Sequence, residues 1–129
     1  TKISDILFFY FSAVRDTFKK SDGTSLWDFH PETMKPQNAL HATVGYLALL
    51  DLLDEIIEKR PSESNMTSKE YYQNLLSKAI SINFENLERY PFTSRTSSIL
   101  YLDLSLAIFP SASPGDPRRI KLQEYLGKN

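Results

Sequence analysis

Apolar residues recur at helical spacing in several stretches of the chain, and in one stretch the spacing fits two structures at once. Near the start, Ile3, Ile6, Leu7, Tyr10, Val14 and Phe18 fall close to a 3.6-residue period, with Thr1 or Ser4 as N-cap and Lys19 and Lys20 where cations suit the helix dipole. This pattern predicts a helix over 3–20, closed by Gly23 in a left-handed conformation. The stretch after it, with Trp27, two prolines and no clean period, predicts a loop running to Pro36.

Residues 38–59 carry the strongest pattern. Leu40, Val44, Leu47, Leu50, Leu53 and Ile57 form one stripe, and Tyr46, Leu49, Leu52 and Ile56 widen it, as suits a central helix contacted on several sides. Asp51, Asp54, Glu55 and Glu58 gather toward its C-terminal end, where the dipole disfavours them, leaving Lys59 and Arg60 as counter-charges. After the polar linker 60–65, Thr67 to Glu70 reads as a capping box with Thr67 as the cap. It predicts a helix from Ser68 to about Arg89, with a weak point near 81–83 and an end at Pro91, burying Tyr72, Leu75, Leu76, Ala79, Ile80, Phe84 and Leu87.

Residues 97–110 are the ambiguous stretch. Leu100, Leu102, Leu104, Leu106 and Ile108 alternate with Tyr101, Asp103, Ser105 and Ala107, as in a half-buried strand. The same residues also give two helical stripes, Ile99/Leu102/Leu106/Phe109 and Leu100/Leu104/Ile108. Leu and Ala favour helix, the run has few β-branched residues, Thr93 or Ser94 can cap it and Pro110 closes it. A strand would also need a partner, and no other segment resembles one. The expectation is therefore a helix over 95–109, buried on most of its circumference. A last helix follows, with Asp116 as N-cap, Pro117 at the first position, Ile120, Leu122, Tyr125 and Leu126 to bury, and Gly127 as the stop.

Together these elements predict an all-α fold, a single domain over 1–129 of about five helices packed around two largely buried central ones, 38–59 and 95–109. A chain of 129 residues can bury a core without a staple. Because the sequence opens without an initiator Met or a signal-peptide pattern, the chain is expected to be a domain cut from a longer intracellular protein, nuclear or cytoplasmic. The lack of cysteine excludes disulfides and thiolate chemistry and fits a reducing compartment. In such a compartment the sequon at Asn65 carries no glycan. No run approaches the ~20 apolar residues of a membrane span.

A net charge of −1 gives no global field for nucleic acid or anionic lipid, so any such ligand must meet a local patch. The best patch is C-terminal: Arg118, Arg119, Lys121 and Lys128 outweigh Asp116 and Glu124, and a smaller basic group holds Arg89 and Arg95. No phosphate-binding glycine loop, nucleophile elbow or zincin motif is present. Asp28, His30 and Glu32 alternate near His41 and invite a metal, but solvated loop polars explain them more simply, and Asp51, Asp54, Glu55 and Glu58 read as a solvated helix face. Neither an enzyme nor a cofactor or metal site is expected.

Large side chains in loops remain: Trp27, Phe29 and Met34 in the first long loop and Phe92 after Pro91, of the types enriched where proteins meet. They serve equally to plug the ends of a small bundle. Ser113, before Pro114, and the Ser/Thr run 93–98 are candidate phosphorylation sites beside the basic groups. The expected function is a docking or assembly module whose partner is another protein or subunit, with the Trp27 loop, Phe92 and the basic final helix as contacts. The alternative is a nucleic-acid-binding module using Arg118, Arg119, Lys121, Arg89 and Arg95 on phosphates.

Overall fold

The computed structural model describes residues 2–19, 23–27, 38, 40, 42–59 and 66–127. Within them lie five α-helices: α1, Lys2–Thr17; α2, Thr43–Lys59; α3, Lys69–Leu76; α4, Ser94–Ile108; and α5, Pro117–Leu126. No strand occurs among the described residues; one isolated antiparallel bridge joins Lys19 to Ser25. The fold is all-α. α1 packs on α3, α2 on α4, and α5 on α4. No described helix is long and apolar enough to cross a membrane.

The ambiguous segment is α4. Thr96, Ile99, Leu100, Leu102, Leu104, Ser105 and Ile108 are all buried, which a helix achieves only when neighbours cover most of its circumference. Thr93 sits at the N-cap, but its hydroxyl pairs with the Thr96 hydroxyl (3.2 Å) while Thr96 donates to the Pro91 carbonyl (2.5 Å).

α1 ends at Thr17 rather than Lys20, because Phe18 and Lys19 turn the chain back. The Leu26 amide donates to the Phe18 carbonyl (2.9 Å), Ser25 Oγ donates to the Arg15 carbonyl in the last turn of α1 (2.7 Å), and Gly23 takes the expected positive φ of 89°. α2 begins at Thr43, five residues later than its apolar pattern suggests; Leu40 belongs to the core from outside the helix. Its buried residues are Val44, Gly45, Ala48, Leu49, Leu52, Leu53 and Ile56, so Leu49, Leu52 and Ile56 of the widening set face the core together with Val44 and Leu53 of the stripe, while Tyr46 is about half exposed. Leu47 stays about half exposed (48%), and Leu50 and Ile57 are half-buried.

α3 differs most from expectation. Its N-cap is Ser68, whose hydroxyl accepts from the Tyr71 amide (3.1 Å), and not Thr67. The helix stops at Leu76, tightens into a 3₁₀ turn over Ser77–Ala79, and does not run to Arg89. Asparagines supply the reason. Asn83 Oδ1 accepts from the Glu85 amide (3.1 Å), and Asn86 Oδ1 accepts from the amides of Glu88 (3.2 Å) and Arg89 (3.3 Å). Side chains that bind nearby backbone offer it an alternative to the helix ladder. Residues 80–93 thus form turns in which Phe84 packs edge-on against Phe18 (5.1 Å) and stacks with Tyr90, plugging the bundle, while Ile80 and Leu87 remain exposed.

α5 follows its cap signals: the Asp116 carboxylate accepts from the Arg118 amide (2.9 Å) with Pro117 in the first turn. It is a peripheral helix with no fully buried residue; Leu122, Tyr125 and Leu126 pack on the core, and Ile120 points outward.

Candidate docking surface

The sequence candidates separate onto different elements. Trp27 is half-buried and locked: its indole Nε1 donates to the Leu40 carbonyl (3.1 Å), and its ring stacks on Phe11 (5.2 Å), which stacks on Tyr46 (5.3 Å). The column joins the loop after α1 to both α1 and α2, and Tyr46 at its end is about half exposed. Phe92, likewise about half exposed, lies just before α4. Phe29, Met34, the imagined metal group of Asp28, His30, Glu32 and His41, the counter-charge Arg60, the sequon Asn65 and Lys128 lie outside the described residues.

The basic residues of α5 divide. Arg118 is an internal tie. Its guanidinium grips both Asp116 oxygens (2.7–3.2 Å) and donates through Nη1 to the Ser105 carbonyl and hydroxyl (3.0 Å each), fastening α5 to α4. The bond to Arg118 holds the Asp116 carboxyl down at about 2. Arg119 donates to the Ser111 carbonyl (2.7 Å), and Lys121 is exposed. Arg119 and Ile120 border a cleft of about 520 Å³ against Leu106, Ala112 and Pro114, of mixed chemistry. Arg89 is also committed. It holds both oxygens of Asp103 (2.9 and 2.8 Å), and the Tyr90 hydroxyl donates to the same carboxylate (2.5 Å).

Glu55 departs from its expected place on a solvated face. Its carboxylate accepts from Lys59 Nζ (2.7 Å), the Tyr101 hydroxyl (3.0 Å) and Ser105 Oγ (2.7 Å). Through Ser105 and Arg118 the chain of bonds runs from α2 through α4 to α5. Burial pushes the Glu55 carboxyl up, and the bonds from Lys59, Ser105 and Tyr101 outweigh it, holding the group below its usual range. Replacing Glu55 by Ala strands the Tyr101 and Ser105 donors and is expected to lower stability by about 2 kcal/mol in urea unfolding. Asp54→Asn, on an exposed residue of the same helix, is expected to change it by less than about 0.5 kcal/mol.

A groove absent from the sequence candidates lies between α1 and α2. The helices run antiparallel here: Tyr10 donates its hydroxyl to the Leu49 carbonyl (2.7 Å), Phe11 meets Tyr46, and Ile3, Ile6 and Leu7 face Leu50, Leu53 and Ile57. The groove encloses about 350 Å³, lined by those six aliphatic side chains, with Asp54 on its rim. The Trp27–Phe11–Tyr46 column stands further along the same two helices. Ile3 is 72% exposed at one end and Leu47 lies beside the α2 wall. This nearly all-aliphatic lining makes it a better apolar docking candidate than the larger cleft at α5. The signal was present in α2: it carries more apolar rows than the rest of the described chain covers. Compared with known proteins, the chain matches no family model, no curated protein and no solved structure.

Proposed function

We propose that this domain is a non-enzymatic docking module of an intracellular assembly that binds another protein through the groove between α1 and α2. The observation that carries this reading is the groove between α1 and α2, lined by Ile3, Ile6, Leu7, Leu50, Leu53 and Ile57, with Ile3 exposed at one end. Two antiparallel helices that leave an aliphatic trough between them can take a third helix in it, the arrangement by which a helical segment is commonly captured. Trp27 serves in this reading as the rigid end wall and not as a free anchor.

The nucleic-acid alternative has less support, because the guanidiniums of Arg89 and Arg118 are spent on Asp103, Asp116 and Ser105. The two readings separate in a capture experiment with the tagged domain in native extract. The expected result is one or a few proteins that stay bound after nuclease treatment and are held equally well by the Arg119→Glu/Lys121→Glu variant. Loss of binding under both conditions would transfer the work to α5 and to phosphates.

A further inference from the structure

We infer that Ser113 is a phosphorylation site for a proline-directed protein kinase and that Arg119 receives the phosphate. The inference does not depend on the docking reading above. Ser113 is the only serine or threonine of the chain that stands directly before one of its seven prolines. It lies in the connection 109–116 between α4 and α5, where Ala112, Ser113, Pro114 and Gly115 are all exposed. Pro114 has no amide proton, so a kinase cleft that is apolar and offers no acceptor at the position after the serine takes proline there, whereas any other residue would bring in a stranded donor. Thr93 and Ser94 are exposed as well, but they stand at the cap and first position of α4 and precede no proline.

The bonds that hold Ser113 are confined to its own loop. Its Oγ accepts from the Gly115 amide, its carbonyl accepts from the Asp116 amide, and its amide donates to Ser111 Oγ, each at 3.2 Å. None of residues 112–115 belongs to the buried core, so the segment can open into a kinase cleft without unpacking a helix. The step is phosphoryl transfer from MgATP: Ser113 Oγ attacks the γ-phosphorus, the new O–P bond forms as the bond to the leaving oxygen of ADP breaks, and the hydroxyl proton passes to the kinase's aspartate. Arg119 is placed to take the product. Its guanidinium donates to the Ser111 carbonyl (2.7 Å), two residues before Ser113, and with Pro114 it lines the cleft between the loop and α5. No carboxylate among the described residues pairs with Arg119, whereas the charge of Arg118 is held by Asp116. A phosphate on Ser113 gives Arg119 a dianion in place of a neutral carbonyl, a stronger bond that fastens the loop to the first turn of α5.

The test treats the full chain with a recombinant mitogen-activated protein kinase and MgATP, beside a synthetic peptide of residues 108–119, and reads both by mass spectrometry. The expected result is one phosphoryl group, on Ser113, introduced into the folded chain within about tenfold of the rate for the peptide. Ser113→Ala should take up none, and Pro114→Ala should react at least about tenfold more slowly. Phosphorylation elsewhere in the chain, no reaction of either substrate, or a folded chain slower than that limit would overturn the site. Phosphorus NMR then reads the receiver: the second ionisation of the phosphate should lie below its ordinary value of about 6 and return toward it in Arg119→Gln, a change at an exposed position. A titration that Arg119→Gln leaves unmoved would overturn the role of Arg119.

Discussion

Replacing Tyr10 by alanine is expected to remove about 3–5 kcal/mol of stability, the range for deleting a fully buried aromatic side chain. Tyr10 is completely buried where α1, α2 and α3 meet. Its ring packs edge-on against Phe11 (5.0 Å) and Tyr72 (5.4 Å), and its hydroxyl bridges to the Leu49 carbonyl of α2. Tyr72 in turn donates to the Met66 carbonyl (2.5 Å), so the cavity would also loosen the approach to α3. Tyr10→Phe keeps the ring and loses only the bridge, and should cost about 1 kcal/mol. Since a whole domain is stable by only about 5–15 kcal/mol, the alanine variant should lose a large part of its stability. Urea unfolding checks both values, with the midpoint falling and the slope unchanged if the folded and unfolded ensembles keep their compactness. Equal losses for the two variants would contradict the packing role of the ring.

The second large effect is alkaline unfolding driven by tyrosine. Burial holds the Tyr10 phenol well above its ordinary value of 10.0, and the neighbouring Tyr72 adds to the shift. Tyr90 is raised by burial and by its bond to the Asp103 carboxylate, and Tyr101 is pushed up to about 12 by burial and then by Glu55. In each case the folded value exceeds the unfolded one, so the associated stability is fully present below about pH 10 and is lost as the pH climbs toward the folded values. For Tyr10 the loss is about 1.4 kcal/mol per pH unit above 10. A spectrophotometric titration of the seven tyrosines should therefore show some ionising early, and then a steep step that coincides with loss of helical circular dichroism. The Tyr10→Phe variant should move that step to higher pH relative to its own stability at neutrality. Smooth ionisation of all seven with the helices intact would contradict the burial of these hydroxyls.

How much could be read from residues alone depends on whether the deciding interaction is local. α5 was legible because its signals are adjacent: Asp116 caps, Pro117 suits the first turn, and the leucines and Tyr125 follow at helical spacing. α4 was legible with more effort, since its alternation fits a strand and only composition, caps and the lack of a pairing segment decide for helix. α3 was overextended because Asn83 and Asn86 compete for backbone that the apolar pattern from Ile80 to Leu87 would otherwise wind into helix. The candidate site was the least legible part. Tyr46, Leu47, Leu50 and Ile57 are as apolar as the buried residues of α2, and nothing in the pattern tells which row meets a neighbour and which faces a trough. The same limit applies to charge: Glu55 and Asp54 are consecutive acids, yet one is bonded to Lys59, Tyr101 and Ser105 and the other stands on the groove rim.

That α1 and α2 hold a protein partner between them is tested most directly by placing a photo-cross-linking residue at Leu50 and, in a separate variant, at Lys121, and exposing both to native extract. Each variant must first unfold cooperatively near the stability of the unmodified chain. The account predicts cross-links to one or a few proteins from position 50, abolished by a second change, Ile3→Glu, at the other end of the groove, and no such products from position 121. Products from position 121 alone, or products from position 50 that persist undiminished with Ile3→Glu, would contradict it.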